Sequence, residues 1–180
     1  MGWTDRLVAV SAAQGRYLWA LLVMGIFYFA LPTSGSVKVP LVQLPLPVAS
    51  IALTGPSVLF FLILVLLGSS RAYGTAEAKA TGSAKEPSEA LDTAPNPIDL
   101  AVYTTTDSPK ALWQLLALTY PLFVSLFAAE ATGLLVGLFT HPASIPGTWA
   151  FRVLGLFTGV PAVVMLIRGW WWALQSLVTG

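Results

Sequence analysis

Residues able to do chemistry are few in this chain. Glu130 is the one carboxylate in the apolar stretch Ala111 to Phe139, ALWQLLALTYPLFVSLFAAEATGLLVGLF, and Arg152 stands near the start of the next such stretch. At 1.5 Å per helical residue, Glu130 would sit about 13 Å below the end of its stretch and Arg152 about 5 Å from the same boundary. An arginine stem reaches inward over most of that difference, so the spacing predicts an intramembrane Glu130–Arg152 pair.

Two roles follow for Glu130. It could relay a proton or cation, or it could hold helices together, either as half of an ion pair or through hydroxyls such as Ser125, Thr132 or Thr158. A conducting path normally needs several polar groups in series, and here there is one acid, which favours the structural role. His141, the only histidine, falls at the outer end of the stretch and reads as a solvated interfacial residue, with axial ligation of a haem or chlorophyll as its functional alternative.

Other chemistries are excluded by composition. There is no cysteine, hence no disulfide, thiolate metal site or cysteine nucleophile. No G-x-S-x-G, H-E-x-x-H, glycine-rich phosphate loop or aspartate cluster occurs. The chain is therefore expected to be no enzyme, to hold no metal and to need no cofactor. A net charge of +1 from nine basic and eight acidic residues gives no footprint for nucleic acid.

The elements that would carry Glu130 and Arg152 are membrane spans. Of 180 residues, 56% are hydrophobic and 9% charged, against about 25% charged in an average soluble protein. About 20 apolar residues in a helix cross the hydrocarbon, and four stretches qualify: about Arg16 to Leu31, Ala49 to Gly68, Leu112 to Phe139, and from near Ala150 to Ile167. The expected fold is an all-α integral membrane protein of four transmembrane helices, with a proline-rich extended segment between the first two and a mobile polar loop between the second and third.

The organisation follows from changes in composition. Residues 1–15 read as an interfacial, amphipathic lead-in or a frayed terminus. Residues 16–68 form the first helix pair, with Pro40, Pro45 and Pro47 breaking any helix in the connection. A signal peptide competes for the first apolar run, but no A-x-A site follows, so an uncleaved span is expected. Pro56 predicts a kink or turn near the start of the second span, and Pro121 a bend in the third. Residues 69–110, rich in Ala, Thr, Ser, Pro, Lys and Glu, read as a polar loop with one helical turn near Glu77 to Ala80. Residues 111–180 form the second hairpin, closed by a tryptophan-rich anchor.

Two small-residue ridges predict how that hairpin packs: Ala129, Gly133 and Gly137 on the third span, and Gly155 and Gly159 on the fourth, facing one another. Trp19, Trp113, Trp149, Trp170, Trp171 and Trp172 read as interface anchors, with pigment, quinone or lipid binding as the less common use of such residues. Four spans put Arg6, Arg16, Arg71, Lys79, Lys85, Lys110 and Arg168 on one side and Lys38 and Arg152 on the other, so the positive-inside rule places both termini and the long loop in the cytoplasm.

The run SVKVPLVQLPLPVASIALTGPSVLFFLILVLL, Ser36 to Leu67, resembles the membrane region found ahead of pentapeptide repeats in some bacterial proteins, where a Val-Lys-x-Pro-Leu stretch precedes a proline-containing second span. The resemblance covers about the first seventy residues, and no pentapeptide repeat occurs in this chain. It implies a bacterial inner membrane and transfers no catalytic residue.

The function expected from these readings is that of a small non-catalytic membrane subunit (accessory, assembly or scaffold), partnered by lipid and by other membrane subunits. The rivals are a transport or ion-coupling subunit using Glu130 and Arg152, and a sensor whose cytoplasmic loop orders on binding.

Overall fold

The structure, a computed structural model, describes residues 3–32, 34–38, 45–81, 110–140 and 148–179. Within them lie helix α1 (Trp3–Phe29), a two-stranded antiparallel hairpin of β1 (Ser36–Lys38) and β2 (Pro45–Pro47), and helices α2 (Val48–Thr81), α3 (Lys110–Thr140) and α4 (Thr148–Thr179). Each helix contains a stretch long and apolar enough to cross a membrane: Val8–Phe29, Val48–Ala72, Thr119–Thr140 and Thr148–Gln175. The chain is an all-α, multi-pass membrane protein by this architecture.

Local chemistry explains where the helices start and stop. The amides of Ala30 and Leu31 bond back to the carbonyls of Ile26 and Tyr28, and Pro32, which lacks an N–H and disfavours helical backbone before it, closes α1. Gly35, at φ 97°, turns the chain into β1 in a conformation that side chains with a Cβ resist. Its carbonyl then accepts the amide of Val48 at 3.0 Å, satisfying one orphan donor at the start of α2. The hairpin pairs Ser36 with Pro47, Val37 with Leu46 and Lys38 with Pro45.

Several element bounds differ from those expected. The lead-in of residues 1–15 is not a separate segment: α1 runs unbroken from Trp3. The second helix does not stop at Gly68. Ser69 and Ser70 turn their hydroxyls back onto the Leu66 carbonyl, at 2.7 and 3.0 Å, so these polar residues ride within the helix. The strong helix formers of AEAKA then carry α2 to Thr81. The rest of the expected polar loop, residues 82–109, lies outside the described residues, as do 39–44 and 141–147. Pro56, Pro121 and Pro161 are held inside helices.

Contacts divide the chain into two compact units, the first of Met1–Trp19, Val65–Leu122 and Gly169–Gly180, the second of Ala20–Leu64 and Phe123–Arg168. In the first unit the buried side chains include the polar Ser11 and Gln14 beside Leu66. The second unit is apolar, with Leu21, Leu59, Phe60, Ile63 and Val124 almost fully buried. Its helices approach closely at glycines: the Phe127 ring of α3 lies against Gly25 of α1, and Tyr28 and Leu134 close on Gly55. Half of the α2 span is buried, against 28%, 17% and 22% of the α1, α3 and α4 spans, so α2 is the most enclosed helix.

Candidate functional site

Glu130 lies in the second unit, on α3, one turn after Phe127 and one turn before Leu134. Those two neighbours pack on Gly25 of α1 and Gly55 of α2, which sets the rotation of α3. Glu130 is half-buried, and its Oε1 is fully buried with no hydrogen-bond partner among the described residues.

The expected Glu130–Arg152 pair is not formed. Arg152 Nε donates to the carbonyl oxygen of Leu138 at 2.8 Å, and its guanidinium carbon stands 5.3 Å from the centre of the Phe139 ring. Leu138 belongs to the last turn of α3, whose carbonyls have no intrahelical partner, so the arginine caps that end and its charge complements the negative pole of the helix. Thr140 Oγ1 serves the same end by bonding the carbonyls of Val136 and Gly137, at 3.1 and 3.3 Å. Helix rotation accounts for the missing pair. Leu135 is the α3 residue that meets Gly155 of α4, and Glu130, five residues earlier, points about 140° away from it at 100° per residue.

Hydroxyls do not serve Glu130 either. Thr132 Oγ1 donates to the Ala128 carbonyl at 2.7 Å, and Thr158 Oγ1 to the Leu154 carbonyl at 2.9 Å, each on its own helix. Ser125 makes other interactions, none of them with Glu130 Oε1.

The two small-residue ridges do not face each other. On α4, a Cβ placed at Gly155 would lie 2.6 Å from Leu135 Cδ1, and one at Gly159 would lie 2.9 Å from Phe60 Cε2, so α3 and α2 fill this ridge. On α3, nothing described lies within 4 Å of such a Cβ at Gly133 or Gly137, and Ala129 is exposed. Trp19, Trp149 and Trp171 are exposed and Trp170 is half-buried. Trp113 and Trp172 fall within α3 and α4, but their side chains, like all of His141, lie outside what the structure describes.

One constellation was missed in the sequence. In the first unit, Gln14 Nε2 of α1 donates to Ser70 Oγ of α2 at 2.7 Å, and Ser70 Oγ shares a 2.8 Å hydrogen bond with the Tyr120 hydroxyl of α3. Because Ser70 also donates to Leu66, its oxygen accepts from both neighbours, and one hydroxyl joins three helices. The available signal was the spacing of Ser11 and Gln14, three apart on one helical face. It was hidden because the segment read as a surface lead-in. In the second unit a looser link, 3.4 Å, joins the Tyr28 hydroxyl to Thr54 Oγ1, which itself donates to the Ile51 carbonyl at 2.9 Å.

Among the described residues, no cluster of three or more His, Cys, Asp or Glu side chains has the placement to hold a metal ion. Comparison with protein-family models, with curated proteins and with solved structures finds no match to this chain.

Proposed function

We propose that this chain is a small non-catalytic subunit of a larger membrane complex, seated in a bacterial inner membrane with both termini in the cytoplasm. The observation that carries the reading is the use to which the polar side chains are put. Gln14, Ser70 and Tyr120 bind one another across three helices, and Arg152 caps a helix end through its Nε. Such contacts clamp helices together. The open ridge of Ala129, Gly133 and Gly137 is where a neighbouring subunit's helix would approach. The sidedness rests on the basic-residue count and the bacterial membrane on the resemblance of residues 36–67.

The test is purification in mild detergent of the wild type and of Gly133→Leu and Gly137→Leu. A membrane protein that co-purifies with the wild type and is lost from both variants, while the variants remain folded, supports the reading. Identical co-purification from all three refutes it.

A second reading has an observation of its own in its favour. Among the described residues Glu130 has neither the arginine nor the hydroxyl partner that would make it structural, and an intramembrane acid without such a partner points to an ion-coupling group. Glu130→Gln separates the two. Normal assembly with loss of ion-coupled activity in the complex favours coupling, and loss of assembly favours the structural role.

A further inference from the structure

We infer that Arg152 holds the phosphate of an anionic phospholipid at the bilayer face where α3 ends and α4 begins. The inference rests on the bilayer placement of the four helices and is independent of which partner the chain serves.

Position comes first. The Leu138 to Thr140 turn closes the α3 span and Thr148 opens the α4 span, so Arg152, one turn into α4, lies at headgroup depth. Geometry comes second. The bond from Nε to Leu138 and the Phe139 ring beneath the guanidinium fix its plane, while its two terminal amino groups make no hydrogen bond among the described residues. A planar fork with four N–H donors held in place suits the tetrahedral oxygens of a phosphate.

Charge comes third. The connections on this side, residues 30–47 and 141–147, contain Lys38 and His141 but no Asp or Glu. Glu130 does not pair with Arg152 and lies about 12 Å deeper than Leu138 at 1.5 Å per residue. This end of the chain thus supplies no carboxylate of its own, and lipid phosphate is the anion abundant at that depth. Exposed Phe139 lies against the guanidinium and exposed Trp149 stands three residues before Arg152 on α4; a soluble anion would leave both wet, whereas a lipid covers them with its glycerol and upper acyl region.

The experiment places the full chain in nanodiscs of phosphatidylcholine, with and without a minor fraction of phosphatidylglycerol. It counts lipids retained by native mass spectrometry and follows thermal unfolding. Arg152→Gln is expected to retain about fivefold less phosphatidylglycerol, the effect of one interfacial cation, with phosphatidylcholine retention unchanged. Arg152→Lys keeps the charge and should fall between, since it loses the fork; it carries the test if the Gln variant fails to fold. Phosphatidylglycerol should raise the wild-type unfolding temperature more than that of either variant. Equal phosphatidylglycerol retention by wild type and variants overturns the inference, as does equal protection by inorganic phosphate added to phosphatidylcholine discs, which would make the site one for a soluble anion. Failure of the wild-type chain to enter discs of any composition would instead sink the bilayer placement itself.

Discussion

Gly159 and Gly133 belong to the same sequence pattern but occupy opposite environments, and substituting each by alanine measures the difference. At Gly159 the new methyl would stand 2.9 and 3.1 Å from Phe60 Cε2 and Cδ2. Phe60 is 2% exposed, so its ring has no solvent to swing into. Overpacking of this kind costs about 1–3 kcal/mol, against a helix-propensity gain over glycine of about 1 kcal/mol. Gly159→Ala should therefore lose up to about 2 kcal/mol, whereas Gly133→Ala, with nothing described within 4 Å, keeps the gain alone. The two variants should differ by about 1–3 kcal/mol, or roughly 5- to 150-fold in their folded-to-unfolded ratio. Equilibrium unfolding in mixed micelles, followed by circular dichroism, reads this directly. A Gly159→Ala variant as stable as Gly133→Ala would refute the packing of α4 on α2.

Other consequences test the polar contacts. Ser70→Ala and Gln14→Leu should each cost about 1 kcal/mol, and the double variant less than their sum, because the Gln14–Ser70 bond disappears in both; strictly additive losses in a double-mutant cycle would dissolve the cluster. Tyr28→Phe should cost less than about 0.5 kcal/mol, since its 3.4 Å bond to Thr54 is long and Thr54 keeps its bond to Ile51; a loss above about 1.5 kcal/mol would mean the hydroxyl has a stronger partner.

The four spans were legible in the sequence because hydrocarbon imposes a length and a composition that no other environment demands. Their ends were less so. Ser69, Ser70 and Arg71 look like a loop by composition, yet two hydroxyls bonded to Leu66 let the helix pass through them. The Glu130–Arg152 pairing failed for a different reason. Depth along a helix follows from counting residues, but direction around it depends on which face meets a neighbour, and that was fixed by Phe127 on Gly25 and Leu135 on Gly155. The glycine ridges show the same limit: identical spacing on α3 and α4, with only the α4 ridge filled from within the chain. Of the Gln14–Ser70–Tyr120 cluster the sequence offered only the shared helical face of Ser11 and Gln14, because its members lie 56 and 50 residues apart and none is charged.

The central claim is that the chain crosses the bilayer four times with the long polar stretch and both termini on one face. Because the sequence has no cysteine, single-cysteine variants Lys38→Cys and Ser88→Cys can be labelled in sealed cells with a maleimide that does not cross membranes. Labelling of the first from outside, and of the second only after the cells are opened, is the predicted result. Labelling of both from the same face would contradict it.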